Sequence, residues 1–81
     1  MAFTHAYVLV NVEIGAESRI VNDLKKIPEI MEAWVVYGVY DIVVKVKAES
    51  PERLKETVSE RIRKIEGVRN TLTLIPIEGF P

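Results

Sequence analysis

The 81-residue sequence has no cysteine, no glutamine and a single histidine, His5. Without cysteine there is no disulfide framework, no thiolate metal site and no cysteine nucleophile. One histidine cannot form a His-only ligand pair within a chain, and His5 reads as a surface residue near the terminus. The three serines, Ser18, Ser50 and Ser59, sit in or beside predicted helices with no nucleophile elbow around them. "VEIGAES" holds one glycine, too few for a phosphate-cradling loop. No catalytic residue, cofactor or metal is therefore expected.

Excess charge of either sign is also missing. Eleven basic and twelve acidic side chains give a net charge of −1, which provides no electrostatic footprint for nucleic acid and no polybasic membrane anchor. The opening "MAFTHAYVLVNV" lacks a charged n-region, and its apolar residues stop at Glu13, short of a membrane span. A cytoplasmic protein is expected.

What the chain does have is 48% hydrophobic residues. A single domain over residues 1–81 buries only about 60% of its unfolded surface, so self-association is the expected source of further stability. "AYVLVNV" predicts a strand ending before Gly15. Ala16, Ile20, Leu24 and Ile27 recur at helical spacing and stop at Pro28. "IMEAWVVY" and "YDIVVKV" predict a hairpin around Gly38-Val39. Ser50-Pro51 is an N-cap with proline at the first helical position, followed by the stripe Leu54, Val58, Ile62 and Ile65 up to Gly67. "VRNTLTLI" is the last strand. The order is βαββαβ.

A degenerate internal repeat agrees. A shift of 38 residues lays "LKKIPEI" on "IRKIEGV", and brings Ile20 onto Val58, Trp34 onto Leu72 and Val36 onto Leu74. Two such halves predict an α+β, ferredoxin-like fold: a four-stranded antiparallel sheet with both helices on one face. Strict alternation then puts Val8, Val10, Tyr40, Ile42, Val44, Leu72 and Leu74 under the helices, with Trp34 in the core. Tyr7, Leu9, Val35, Tyr37, Val43, Thr71, Thr73 and Ile75 would face away. That second face is too apolar for water, so a sheet-to-sheet homodimer is expected.

The hairpin in "AWVVYGVYDIVVKV" carries two tyrosines and a carboxylate, more than a turn requires. With the βαββαβ order, "IPEIMEAWVVYGVYDIVVKV" and the threonines of "RNTLTLIPI", the chain resembles the effector (RAM) domain of the Lrp/AsnC transcriptional regulators. It lacks their DNA-binding helix-turn-helix unit, so the resemblance implies a stand-alone effector domain that does not itself bind DNA. It further implies sheet-mediated dimers assembling into rings, an octamer or a decamer, and an amino-acid or similar effector held between dimers. Carried over by position, the ligand-binding residues are Tyr37, Gly38, Tyr40 and Asp41, with Thr71 and Thr73. Mixed assembly with full-length Lrp/AsnC regulators is the implied route to transcription.

Physical roles follow for these residues. Asp41 pairs with a ligand ammonium or, alternatively, ties down the turn backbone. Gly38 is expected to meet the turn's backbone demand and to let amide groups approach a carboxylate. The tyrosines form ligand walls or subunit contacts. Thr71 and Thr73 serve the outer-face interface or the ligand. Three rivals remain. An ACT-like amino-acid-binding module would use the loop at Gly15. A small dimeric α+β barrel enzyme would use His5, Asp41 or the tyrosines. A scaffold would bind nothing.

Overall fold

The computed structural model describes residues 3–81. Its elements are β1 (Thr4–Val12), α1 (Glu17–Leu24), β2 (Ile30–Val35), β3 (Ile42–Ala48), α2 (Pro51–Glu56, continuing as a π-helical segment Thr57–Ile62) and β4 (Val68–Leu74). The sheet order is β2-β3-β1-β4, with every neighbouring pair antiparallel. This is the expected βαββαβ arrangement. Inward positions of β1 and β3 (Ala6, Val8, Val10, Ile42, Val44, Val46) are fully buried with Ile20, Leu24 and Ile62 from the helices.

α2 starts as its sequence demands. Ser50 is extended, and its Oγ accepts the Arg53 N–H at 3.1 Å, with Pro51 inside the first turn. Removing that acceptor by Ser50→Ala should cost about 1 kcal/mol, readable as a lower urea midpoint with unchanged slope. Arg53 also fastens this helix to the α1–β2 turn. Its Nε donates to Glu29 Oε2 at 2.9 Å and its Nη1 to Glu56 Oε1 at 2.7 Å. Glu29, then Glu56, raise its pKa above the ordinary value.

The second half of α2 widens for two physical reasons. Leu54, Val58 and Ile62 are spaced by four, and residues four apart overshoot an α-helical turn by about 40°. A wider turn keeps all three facing the sheet. Thr57 and Ser59 also donate from their hydroxyls to the Arg53 and Lys55 carbonyls, each at 2.8 Å, competing with the α-helical ladder. The segment closes with the Arg63 N–H donating to the Val58 carbonyl five residues back.

Strand parity departs from the expectation in β2 and β4. In β2, Ile30 pairs with Val46 but Glu32 pairs with Lys45, leaving Met31 as an extra residue. In β4, Val68 pairs with Val12 but Asn70 pairs with Asn11, leaving Arg69 as an extra residue. Each bulge flips every side chain beyond it. Trp34 is therefore not core: it lies opposite Val43 on the outer face and is 62% exposed. Leu72 and Leu74 lie opposite Leu9 and Tyr7 and also face outward, whereas Thr71 and Thr73 pair with Val10 and Val8 and face the helices. Val35, opposite Ile42, likewise turns to the helix side. Met31 and Arg69 are 38 residues apart, so the two halves bulge at equivalent positions. The repeat was sound; the assumption of unbroken alternation was not.

Candidate functional site

The outer face remains apolar after this correction. Tyr7, Leu9, Trp34, Val43, Leu72 and Leu74 share it, and Tyr7, Trp34, Leu72 and Leu74 are all exposed. Lys45 Nζ lies 3.9 Å from Glu32 Oε2, and the Trp34 indole donates to Glu32 Oε1 at 3.1 Å. A largely apolar surface with a few polar groups at one end, Glu32 and Lys45 beside Tyr7, has the composition of an interface.

The hairpin is longer than a two-residue turn, because β2 ends at Val35 and β3 begins at Ile42. Its base is firmly held. The Val36 N–H donates to the Asp41 carbonyl at 2.9 Å, and the Asp41 N–H donates to the Val10 carbonyl at 3.0 Å. Asp41 Oδ2 accepts the Val12 N–H at 2.8 Å. Asp41 thus binds the loop to the end of β1, the turn-fastening alternative raised above.

Its tip is the opposite. Tyr37 is fully exposed and Val39 nearly so, while Tyr40 is half-buried. Gly38 does not have a positive φ, and a Cβ built there meets nothing within 4 Å. The expectation that the turn's backbone requires glycine at this position is therefore wrong. Among the described residues of one protomer, nothing packs against a Cβ at Gly38 or covers the Tyr37 ring.

Thr71 sits opposite Val10, the residue whose carbonyl receives the Asp41 amide, so it shares the hairpin's end of the sheet. Thr73 lies further along and lines a groove of about 370 Å³ between β4 and α2, with Leu54, Val58, Ser59 and Arg63. Thr73 reaches that groove because the β4 bulge turns it to the helix side, so unbroken alternation in the sequence gives no sign of it. The structure brings Tyr37, Gly38, Tyr40 and Asp41 into one loop, but the hairpin leaves the β2–β3 side of the sheet and Thr73 lines the β4 edge. Among the described residues no cluster of three or more metal-ligating side chains occurs, and no helix is long and apolar enough to cross a membrane.

The family model for the Lrp/AsnC ligand binding domain matches residues 5–80. The chain belongs to that family. A curated relative, the HTH-type transcriptional regulator FL11 of Pyrococcus furiosus, is 36% identical over 73 residues, covering 90% of this chain and 48% of its own length. The chain thus spans about half the length of the curated relatives it matches. Among solved structures, FFRP-DM1 superposes with a TM-score of 0.88 at 36% identity, covering 91% of this Lrp/AsnC domain and 99% of the other chain. A Neisseria meningitidis transcriptional regulator solved as an L-Met complex shares the fold at a TM-score of 0.84 and 14% identity, covering 96% of this chain and 52% of that one. Curated relatives of this Lrp/AsnC domain are transcriptional regulators.

Proposed function

We propose that this Lrp/AsnC domain is a regulatory module that binds an amino acid or a chemically similar small effector between protomers. The observation that carries the reading is the hairpin: a loop pinned at its base, presenting a fully exposed Tyr37 and a Gly38 that its own backbone does not require. A half-site of this kind is completed by a neighbouring copy. The Neisseria regulator's L-Met complex supports the ligand class.

Within that site the chemistry divides by residue. A buried amino acid needs partners for both its charges. Asp41 fixes the loop through one bond to Oδ2, and a carboxylate has acceptor capacity beyond one bond for a ligand ammonium. Gly38 leaves room for close approach of a ligand or of the neighbouring chain. Tyr37 and Tyr40 supply apolar walls with polar tips. Thr71 and Thr73, on the helix side at the β4 edge, contribute hydroxyls from the adjacent protomer. The assembly unit is a homodimer through the apolar outer face, and dimers associate further into an octamer or decamer. The module, residues 1–81, acts in the cytoplasm and modulates transcription through assembly with full-length Lrp/AsnC regulators, without touching DNA itself.

The test is thermal unfolding in the presence of each of the twenty amino acids, for the native protein and for Tyr37→Ala. A ligand at about 100 times its Kd stabilises by about 2.7 kcal/mol, a shift on the order of 10 °C for a domain this small. The expected result is a selective shift that Tyr37→Ala abolishes without lowering the ligand-free Tm. No shift with any amino acid would overturn the ligand class.

A further inference from the structure

β1 is longer than the strand beside it. Thr4, His5 and Ala6 pair with Ala48, Lys47 and Val46 of β3, but pairing with β4 begins only at Tyr7, opposite Leu74. Continuing that register would set Ile75 against Ala6 and Pro76 against His5. Proline has no N–H to donate, so the ladder stops there and one side of Thr4–Ala6 stays open. Next to this open edge is a cleft of about 480 Å³ lined by Phe3, His5, Tyr7, Lys45, Pro76 and Phe80, among others.

The segment beyond β4 borders the cleft without filling it. Among the described residues, no backbone hydrogen bond ties residues 75–81 to the rest of the fold. Ile77 and Phe80 are each 95% exposed, although both are large and apolar. Between them lies Glu78. Two lysines stand at the cleft: Lys45, 3.9 Å from Glu32, lines it, and Lys47, opposite His5, holds its ammonium 4.4 Å from the Phe3 ring centroid.

An irregular segment with two exposed apolar side chains and one carboxylate, and an aromatic cleft with lysines at its margin beside an unpaired strand edge, are complementary in charge and backbone chemistry. We propose that Ile77-Glu78-Gly79-Phe80 of a second copy of this chain occupies the cleft, adding to the open side of Thr4–Ala6 with Glu78 toward the lysines. The exchange is mutual about a two-fold axis, and each protomer clasps the other with one arm. The inference rests on the sheet-to-sheet homodimer proposed above, whose outer face is continuous with the cleft through Tyr7 and Lys45. Unlike the segment's own pairing register, the stretch 77–80 contains no proline, so each of its residues can donate an N–H.

The absence of native cysteine makes the test clean. His5→Cys and Phe80→Cys are prepared as separate proteins, co-refolded and treated with a short bis-maleimide. The expected product is a covalent pair with the mass of one chain of each variant. Independently, Phe80→Asp should raise the dimer dissociation constant at least tenfold while the monomer stays folded. A mixed pair that does not form, in a protein that still sediments as a dimer, overturns the exchange. So does cross-linking found only within single chains of the His5→Cys/Phe80→Cys double variant, which would show that each segment folds onto its own cleft. A native protein that sediments as a monomer would instead remove the dimer reading, and the exchange with it.

Discussion

Gly67→Ala is expected to destabilise the domain by about 2–4 kcal/mol, whereas Gly38→Ala should change its stability by less than about 0.5 kcal/mol. The two glycines do different things. Gly67 has φ +100°, and a Cβ there would stand 2.8 Å from Arg19 Nη2, 3.2 Å from Ile20 Cδ1 and 3.4 Å from Ala16 Cβ. Its carbonyl accepts the Glu13 N–H at 2.8 Å, and Arg19 Nη2 donates to the Glu66 carbonyl at 2.8 Å. The α2–β4 turn is thus stitched onto the entry to α1, and a methyl group would displace the end of Arg19 from the Glu66 carbonyl and crowd Ile20, on top of the left-handed backbone strain. Gly15, with φ +85° and nothing within 4 Å of a built Cβ, isolates the backbone cost, and Gly15→Ala should lose about 1 kcal/mol. Urea unfolding of the three variants gives the comparison directly. A Gly38→Ala variant as unstable as Gly67→Ala would show that the hairpin glycine serves the fold after all.

Leu72→Lys should leave the protomer folded and dissociate the sheet-to-sheet homodimer proposed above. Leu72 lies opposite Leu9 on the outer face, and burial of a leucine is worth about 1.5–3 kcal/mol. A two-fold interface counts each loss twice and places two new ammonium groups in one apolar patch. The dissociation constant should therefore rise by at least about 100-fold, which is about 2.7 kcal/mol. Thr73→Lys, one position along but on the helix side of the sheet edge, should leave the dimer intact. The contrast is sharp because unbroken alternation predicts the reverse: Leu72 would be core, and a lysine there would unfold the chain. Sedimentation equilibrium and circular dichroism on both variants separate the two outcomes.

The sequence carried the fold through signals that are local and redundant. The Ile20–Leu24 and Leu54–Val58–Ile62 stripes, the Ser50-Pro51 cap and the alternation of β1 and β3 each point to one structure, and all are where the pattern puts them. What it concealed were the bulges at Met31 and Arg69. Neither is a glycine or a proline, and a single unpaired residue leaves no mark in a period-two pattern once the apolar residues continue on both faces. Trp34 and Leu72 are equivalent, as the repeat has them, and strict alternation misplaces both in the core for that one reason. The hairpin was legible as unusual, because two tyrosines and an aspartate exceed a turn's needs. Which of them serves the turn was not legible: the Asp41 bond to the Val12 amide spans residues far apart in sequence, and Gly38 turns out to be free of backbone demand.

Sedimentation velocity of the purified protein, run without ligand and with each amino acid, decides whether neighbouring copies complete the effector site. A domain whose effector site is completed by neighbouring copies should sediment as an assembly larger than a monomer, and at least one amino acid should shift that distribution. A monomer that no amino acid changes would contradict the account.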